Sequence, residues 1–152
     1  MEKTFSLAIT TIAIAALIAS VAAVYYTATL RNTGTIVAHG CKIYLDDKTT
    51  ETYTIAWGEM RVNQTLTNYR WIYNNSTVTN PANLTWHHNA PAYFTLKMYY
   101  QLPNLTWQEL TQGQQTTLNQ TQWLHTRFEL TTQPDAINHQ GVFAFDIFIE
   151  LA

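Results

Sequence analysis

Near the C-terminus large apolar residues recur at every second position. Phe143, Phe145, Ile147, Ile149 and Leu151 fall on one side, and Ala144, Asp146, Phe148 and Glu150 on the other. Period two is the period of a strand, so the five large residues predict a core-facing row. Val37, His39, Cys41, Ile43 and Leu45 make a second alternating row, which Asp46-Asp47-Lys48 closes as a turn. Residues 53–57, 64–73, 92–102 and 123–130 read as further strands. Residues 25–31 alternate too, with Tyr26, Ala28 and Leu30 on one side. Turn clusters separate these runs at residues 74–81, 88–91, 103–104 and 112–113. No stretch beyond residue 30 has a 3.6-residue period. The pattern predicts an all-β chain, a single immunoglobulin-like or jelly-roll-type β-sandwich of about seven strands over residues 24–152.

Residues 1–23 are of a different kind. Glu2 and Lys3 precede an apolar run from Leu7 to Ala19, and Ser20-Val21-Ala22-Ala23 follows. These are the parts of a secretory signal peptide, with Ser20 and Ala22 at the positions a signal peptidase reads. Read through to Tyr26, the same run is long enough to span a bilayer as a retained hydrophobic helix, with Tyr25 and Tyr26 at the water interface. Contact with a membrane follows only from the second reading. Both export the remainder to the cell surface or beyond.

Composition sharpens that picture. Charged residues make up 12% of the chain, about half of what soluble proteins carry, and the net charge is −2. Without a basic excess the chain has no electrostatic footprint for nucleic acid. Its polarity comes from 25 Thr, 11 Asn and 10 Gln. Asn-x-Ser/Thr sequons occur at Asn63, Asn74, Asn75, Asn83, Asn104 and Asn119, six where that composition gives about two by chance. All lie past residue 60, on the exported part, and point to N-linked glycans; Asn74 and Asn75 overlap, so one of the two is expected to be used. Export, sequons and a single cysteine that can form no internal disulfide together suit an archaeal surface protein.

The order of features resembles a family. Asn32-Thr33-Gly34-Thr35-Ile36 leads into a strand ending Ile43-Tyr44-Leu45-Asp46. Ile55-Ala56-Trp57-Gly58-Glu59-Met60 follows, then Tyr73-Asn74-Asn75, an Asn-Leu-x-Trp segment, and a terminal Phe-x-Phe-Asp-Ile-x-Ile. This resembles the small secreted archaeal β-sandwich proteins similar in fold to archaeal bundling pilins and, more distantly, to TasA and camelysin. Such proteins often carry a Pro-Gly turn after the Trp-Gly segment, where this chain has Val62-Asn63-Gln64. The resemblance implies a subunit of an extracellular filament whose partner is itself. A donor strand at residues 24–30 (Val24, Tyr26, Ala28, Leu30), joined through Arg31-Asn32-Thr33-Gly34, would complete the sheet of the next copy. Head-to-tail pairing of that kind does not close, so it makes a fibre.

The chain offers little catalytic chemistry. It has no nucleophile elbow, HExxH, glycine-rich phosphate loop or Cys-x-x-Cys, and no cofactor is implied. Asp46-Asp47 reads as a solvated turn, and Asp146, in an apolar strand, as an exposed carboxylate or alternatively as a buried, hydrogen-bonded one or a metal ligand. His39 and Cys41, two residues apart, would share a strand face, and His87-His88 could add ligands, a weak set for copper or zinc. The competing reading makes Cys41 a small core residue. Trp57, Trp71, Trp86, Trp107 and Trp123 could line a carbohydrate platform, with two or three expected in the core instead. Trp86 and Trp107 each follow a sequon threonine and are placed to pack under a sugar. The expectation is a non-enzymatic structural glycoprotein; the alternatives are an anchored or pilin-like subunit that keeps its helix, and a surface carbohydrate- or metal-binding module.

Overall fold

The computed structural model of the protein describes residues 30–76, 81–139 and 141–152. Its strands are β1 (Leu30–His39), β2 (Lys42–Tyr44), β3 (Thr54–Met60), β4 (Thr65–Tyr73), β5 (Ala82–His88), β6 (Phe94–Gln101), β7 (Trp107–Leu110), β8 (Thr116–Leu118), β9 (Trp123–Thr132) and β10 (Gly141–Leu151). They form two five-stranded sheets, in the orders β3-β1-β10-β5-β8 and β2-β4-β9-β6-β7. The sheets pack face to face as a β-sandwich. The expected hydrophobic helix over residues 1–23, and Val24, Tyr26 and Ala28, lie outside the described residues.

The alternating rows explain the packing. In β10, Phe145, Ile147 and Ile149 are buried, and Phe143 and Leu151 pack against the same core. The second sheet answers with Ile72, Leu96, Met98, Phe128 and Leu130. Tyr99 and Tyr100 point to opposite faces as strand geometry requires, Tyr100 against the core. The five longer runs read from the sequence correspond to β3, β4, β6, β9 and β10.

Three expectations need correction. The row from Val37 to Leu45 is not one strand, because the chain changes sheet at Gly40. Gly40 has φ +74°, and a Cβ there would sit 2.4 Å from the Leu151 carbonyl oxygen, so only glycine can make this crossing. Arg31-Asn32-Thr33-Gly34 is no joint, since it lies inside β1, paired with β10 and β3. The count is ten strands among the described residues, because β5 and the short β7 and β8 lack a clear alternation. The departure at Val62-Asn63-Gln64 is still a turn. Asn63 takes the left-handed conformation (φ +61°) that a glycine would otherwise supply, and Gln64 N donates to Arg61 O.

The register gives the molecule two poles. β1 and β10 run in parallel, from the rung Leu30–Gly141 to the rung His39–Glu150. Leu30, fully buried, also pairs with Met60, the last residue of β3. The chain therefore enters at one pole, and the described sheet ends there. Ala152 sits at the far pole, exchanging backbone hydrogen bonds with Asn83. Tyr73, Trp123 and the β6–β7 connection share that end, because Tyr73 pairs with Lys42 just after the Gly40 crossing.

Candidate functional site

The outer face of the second sheet is built from rings. Across β2, β4 and β9 one rung carries Tyr44, Trp71 and His125, and the same rung continues through Gln101 of β6 to Trp107 of β7. The next rung toward the far pole pairs Tyr73 with Trp123, and the next toward the entry pole pairs Tyr69, Arg127 and Tyr99. Alternation dictates the set: Asn68, Arg70 and Ile72 of β4 point inward, so Tyr69, Trp71 and Tyr73 must point out. Outward positions on these five strands hold aromatic, polar or charged side chains and no aliphatic one.

The rings form an ordered outer layer. His125 stacks on Trp71 with centroids 4.2 Å apart and planes 5° from parallel. Lys48 Nζ stands over the Trp71 ring, 3.7 Å from its centroid. Trp123 leans on Tyr73 at 4.6 Å and Tyr44 at 5.0 Å, and Trp107 on His125 at 5.1 Å and Tyr69 at 5.8 Å. The Arg127 guanidinium lies over Tyr99 and Trp107. Trp107 and Trp123 are half-buried and Tyr69 is 39% exposed, while the Trp71 indole N–H is buried without a hydrogen-bond partner.

Charges on this face are matched. Lys97 meets Glu109 at 3.1 Å, Arg127 meets Glu129 at 3.1 Å, and Lys42 meets Glu51 at 3.0 Å. His125 Nε2 lies 2.9 Å from Asp46 Oδ1, and its Nδ1 lies 3.2 Å from Gln101 Oε1. The turn that delivers Lys48 is held by Asp47, whose carboxylate accepts from Thr49 N, Thr50 N and the Thr50 hydroxyl. Those bonds bring the Asp47 carboxyl down to about 2. Beside the far-pole end of the face a groove of about 390 Å³ opens between the two sheets, lined by Gln101, Leu102, Leu105 and Trp123 of the second and Thr117 of the first.

The tryptophans divide two to three. Trp57 and Trp86 are core residues, 4% and 2% exposed. Trp86 Nε1 donates to Leu110 O at 2.6 Å, so Trp86 cannot pack under a sugar on Asn83. Trp71, Trp107 and Trp123 make the outer layer.

The sequons separate as well. Asn74 is fully buried, its amide donating to Leu118 O while Oδ1 accepts from Ser76 N. A glycan there would require breaking the fold, so Asn74 is removed from the set of acceptors. Asn63, Asn75, Asn83, Asn104 and Asn119 are exposed. Asn104 Oδ1 accepts from the hydroxyl of Thr106 in its own sequon, at 2.7 Å. By the strand register Asn75, Asn83, Asn104 and Asn119 all sit at the far pole, and Asn63 at the entry pole.

The histidine and cysteine candidates do not converge. Past the Gly40 crossing Cys41 is buried, and burial pushes its thiol up to about 12, which leaves it protonated and inert. His39 is exposed. His87 stacks on Phe148 of the first sheet's outer face, and His88 Nδ1 accepts from Ala90 N. Among the described residues no group of three or more His, Cys, Asp or Glu side chains could hold a metal ion. Asp146 faces outward and is tied to Asn89 by both side chain and backbone. Among the described residues no helix is long and apolar enough to cross a membrane. Compared with known protein families and with curated proteins, the chain matches none.

Proposed function

We propose that this chain is an exported, N-glycosylated structural protein, the subunit of an extracellular filament joined by strand exchange, on an immunoglobulin-like sandwich. The observation that carries the reading is the outer edge of the first sheet. There β3, which pairs with β1 up to the described rung of Leu30 with Met60, presents a seven-residue outer edge, the longest of the four described sheet edges. An exposed edge of that length is a template for another strand. Residues 24–29 of a neighbouring copy, which alternate in sequence, supply one. Docking along β3 keeps the neighbour away from the far-pole sequons. The test is deletion of residues 24–29 from the mature chain. The truncated protein should stay folded, fail to polymerise and take up a peptide of residues 24–30; a truncated protein that still forms fibres, or that ignores the peptide, sinks strand exchange.

A second reading follows from the axial arrangement. Four exposed sequons lie at the pole opposite chain entry, the layout of a protein held to a membrane by a retained N-terminal helix with its sugars outward. The mass of the native N-terminus separates the two, since a retained residue 1–23 segment supports anchoring and a start near Ala23 supports release into a fibre.

A further inference from the structure

We infer that the outer face of the second sheet is a binding site for a neutral oligosaccharide, laid across the two neighbouring rungs that carry Trp107 and Trp123 and into the groove beside Gln101. The inference is independent of strand exchange and concerns a different sheet. A sugar ring presents two chemistries, an apolar face of C–H groups and an edge of hydroxyls, and this surface offers both counterparts. Tyr69 is exposed and Trp107 and Trp123 are half-buried, each packed on neighbours that fix its tilt, so little freedom is lost when a ligand stacks on them. Amide and hydroxyl groups adjoin them, Gln101 on the rung of Trp107, and Gln122 with Thr117 of the first sheet in the groove at the far-pole end. Tyr44 and Trp107 stand on the two outermost strands of a five-stranded sheet, so the platform is roughly 19 Å wide, four strand spacings.

Charge selects the ligand class. The cations on this face are occupied: Lys97, Arg127 and Lys42 by carboxylates, and Lys48 by the Trp71 ring. An acidic polysaccharide or nucleic acid would have to break those pairs, whereas a neutral glycan uses the rings and amides and leaves the pairs standing. The absence of any outward aliphatic side chain on these five strands points the same way, to planar stacking. The first sheet packs on the same core without such a layer: Thr33, Thr35, Ala56 and Ala144 stand on its outer face beside the Arg31–Glu59 ion pair and one His87–Phe148 stack.

The experiment titrates the full mature protein with maltohexaose, cellohexaose and mannohexaose, and with a hexagalacturonate as the acidic arm, read by calorimetry and by tryptophan fluorescence. At least one neutral hexasaccharide should bind below about 1 mM, with Trp107→Ala and Trp123→Ala each weakening it by about tenfold or more. Gln101→Ala, which leaves the rings in place, should weaken it less but measurably. The proposal is overturned if no neutral hexasaccharide binds, if the acidic one binds tighter, or if binding survives Trp107→Ala and Gln101→Ala unchanged. It is equally overturned if Trp107→Ala abolishes only self-association, which would make the face an interface between copies.

Discussion

On the first sheet the outward positions of β1, β3 and β10 include Arg31, Thr33, Thr35, Ala56, Glu59, Val142, Ala144 and Asp146. On the second, those of β4 and β9 hold Tyr69, Trp71, Tyr73, Trp123, His125 and Arg127. Both faces obey the same alternation over one shared core. The first carries small side chains, the exposed Arg31–Glu59 ion pair and the single stack of His87 on Phe148, with Val142 75% exposed and no continuous layer of rings. The second carries interlocked rings whose charges are paired. Small β-branched and hydroxyl residues are enough for a solvated sheet face. The rings of the second sheet exceed what a solvated face needs, and the apolar area they leave exposed is what the proposed saccharide site would use.

Changes on either side should break that comparison in a graded way. The largest effect belongs inside: Trp86→Ala removes a buried ring and leaves the Leu110 carbonyl unpartnered. It should cost about 3–5 kcal/mol by denaturant unfolding. Trp71→Ala on the outer layer should cost about 2 kcal/mol, because His125 loses its stacking surface and Lys48 its ring. Trp107→Ala should cost about 1 kcal/mol while weakening saccharide binding by about tenfold or more. If the outer tryptophans cost as much as Trp86, the layer is core and not surface.

Acid should loosen one face only. Asp47 and Glu51 are both held below their ordinary range, Asp47 by Thr49 and Thr50, Glu51 by the Tyr53 hydroxyl and Lys42. A lowered carboxyl stabilises the fold above its unfolded pKa, and that stabilisation disappears as pH falls through the folded value. For Asp47 the window runs from about 3.8 to about 2. Below it the Lys48 turn should release Trp71, seen as a change in tryptophan fluorescence absent from Asp47→Asn. The smallest effect belongs to the first face, where Val142→Thr should change stability by no more than about 0.5 kcal/mol.

Much of the fold was legible because period-two rows are physical. A row such as Phe145-Ile147-Ile149 has only one way to avoid water. The Asp46-Asp47-Lys48 turn was legible for a local reason, its side-chain bonds to the following backbone. What escaped was non-local. The row through His39 and Cys41 keeps its alternation across Gly40 while the chain moves to the other sheet, and only the Leu151 carbonyl explains why a glycine stands there. Which tryptophans are core depends on strand partners: Trp57 and Trp71 both alternate, one inward and one outward. Asn74 looked equal to Asn75 as a sequon until its amide was found on Leu118. The aromatic face was half visible. Tyr69-Arg70-Trp71-Ile72-Tyr73 alternates ring and non-ring, but Trp107 and His125 join it only through pairing.

The parallel pairing of β1 with β10 sets how the molecule would bear a load. Tension applied at Leu30 along β1, with the body held from the far pole, acts along the strand and not across it. The ten rungs to β10 and the six to β3 would then be strained together in shear, where a hairpin pulled at its open end parts one rung at a time. A protein hung by its N-terminal end, whether from a membrane or from a sister molecule, would yield only when that whole ladder slips at once.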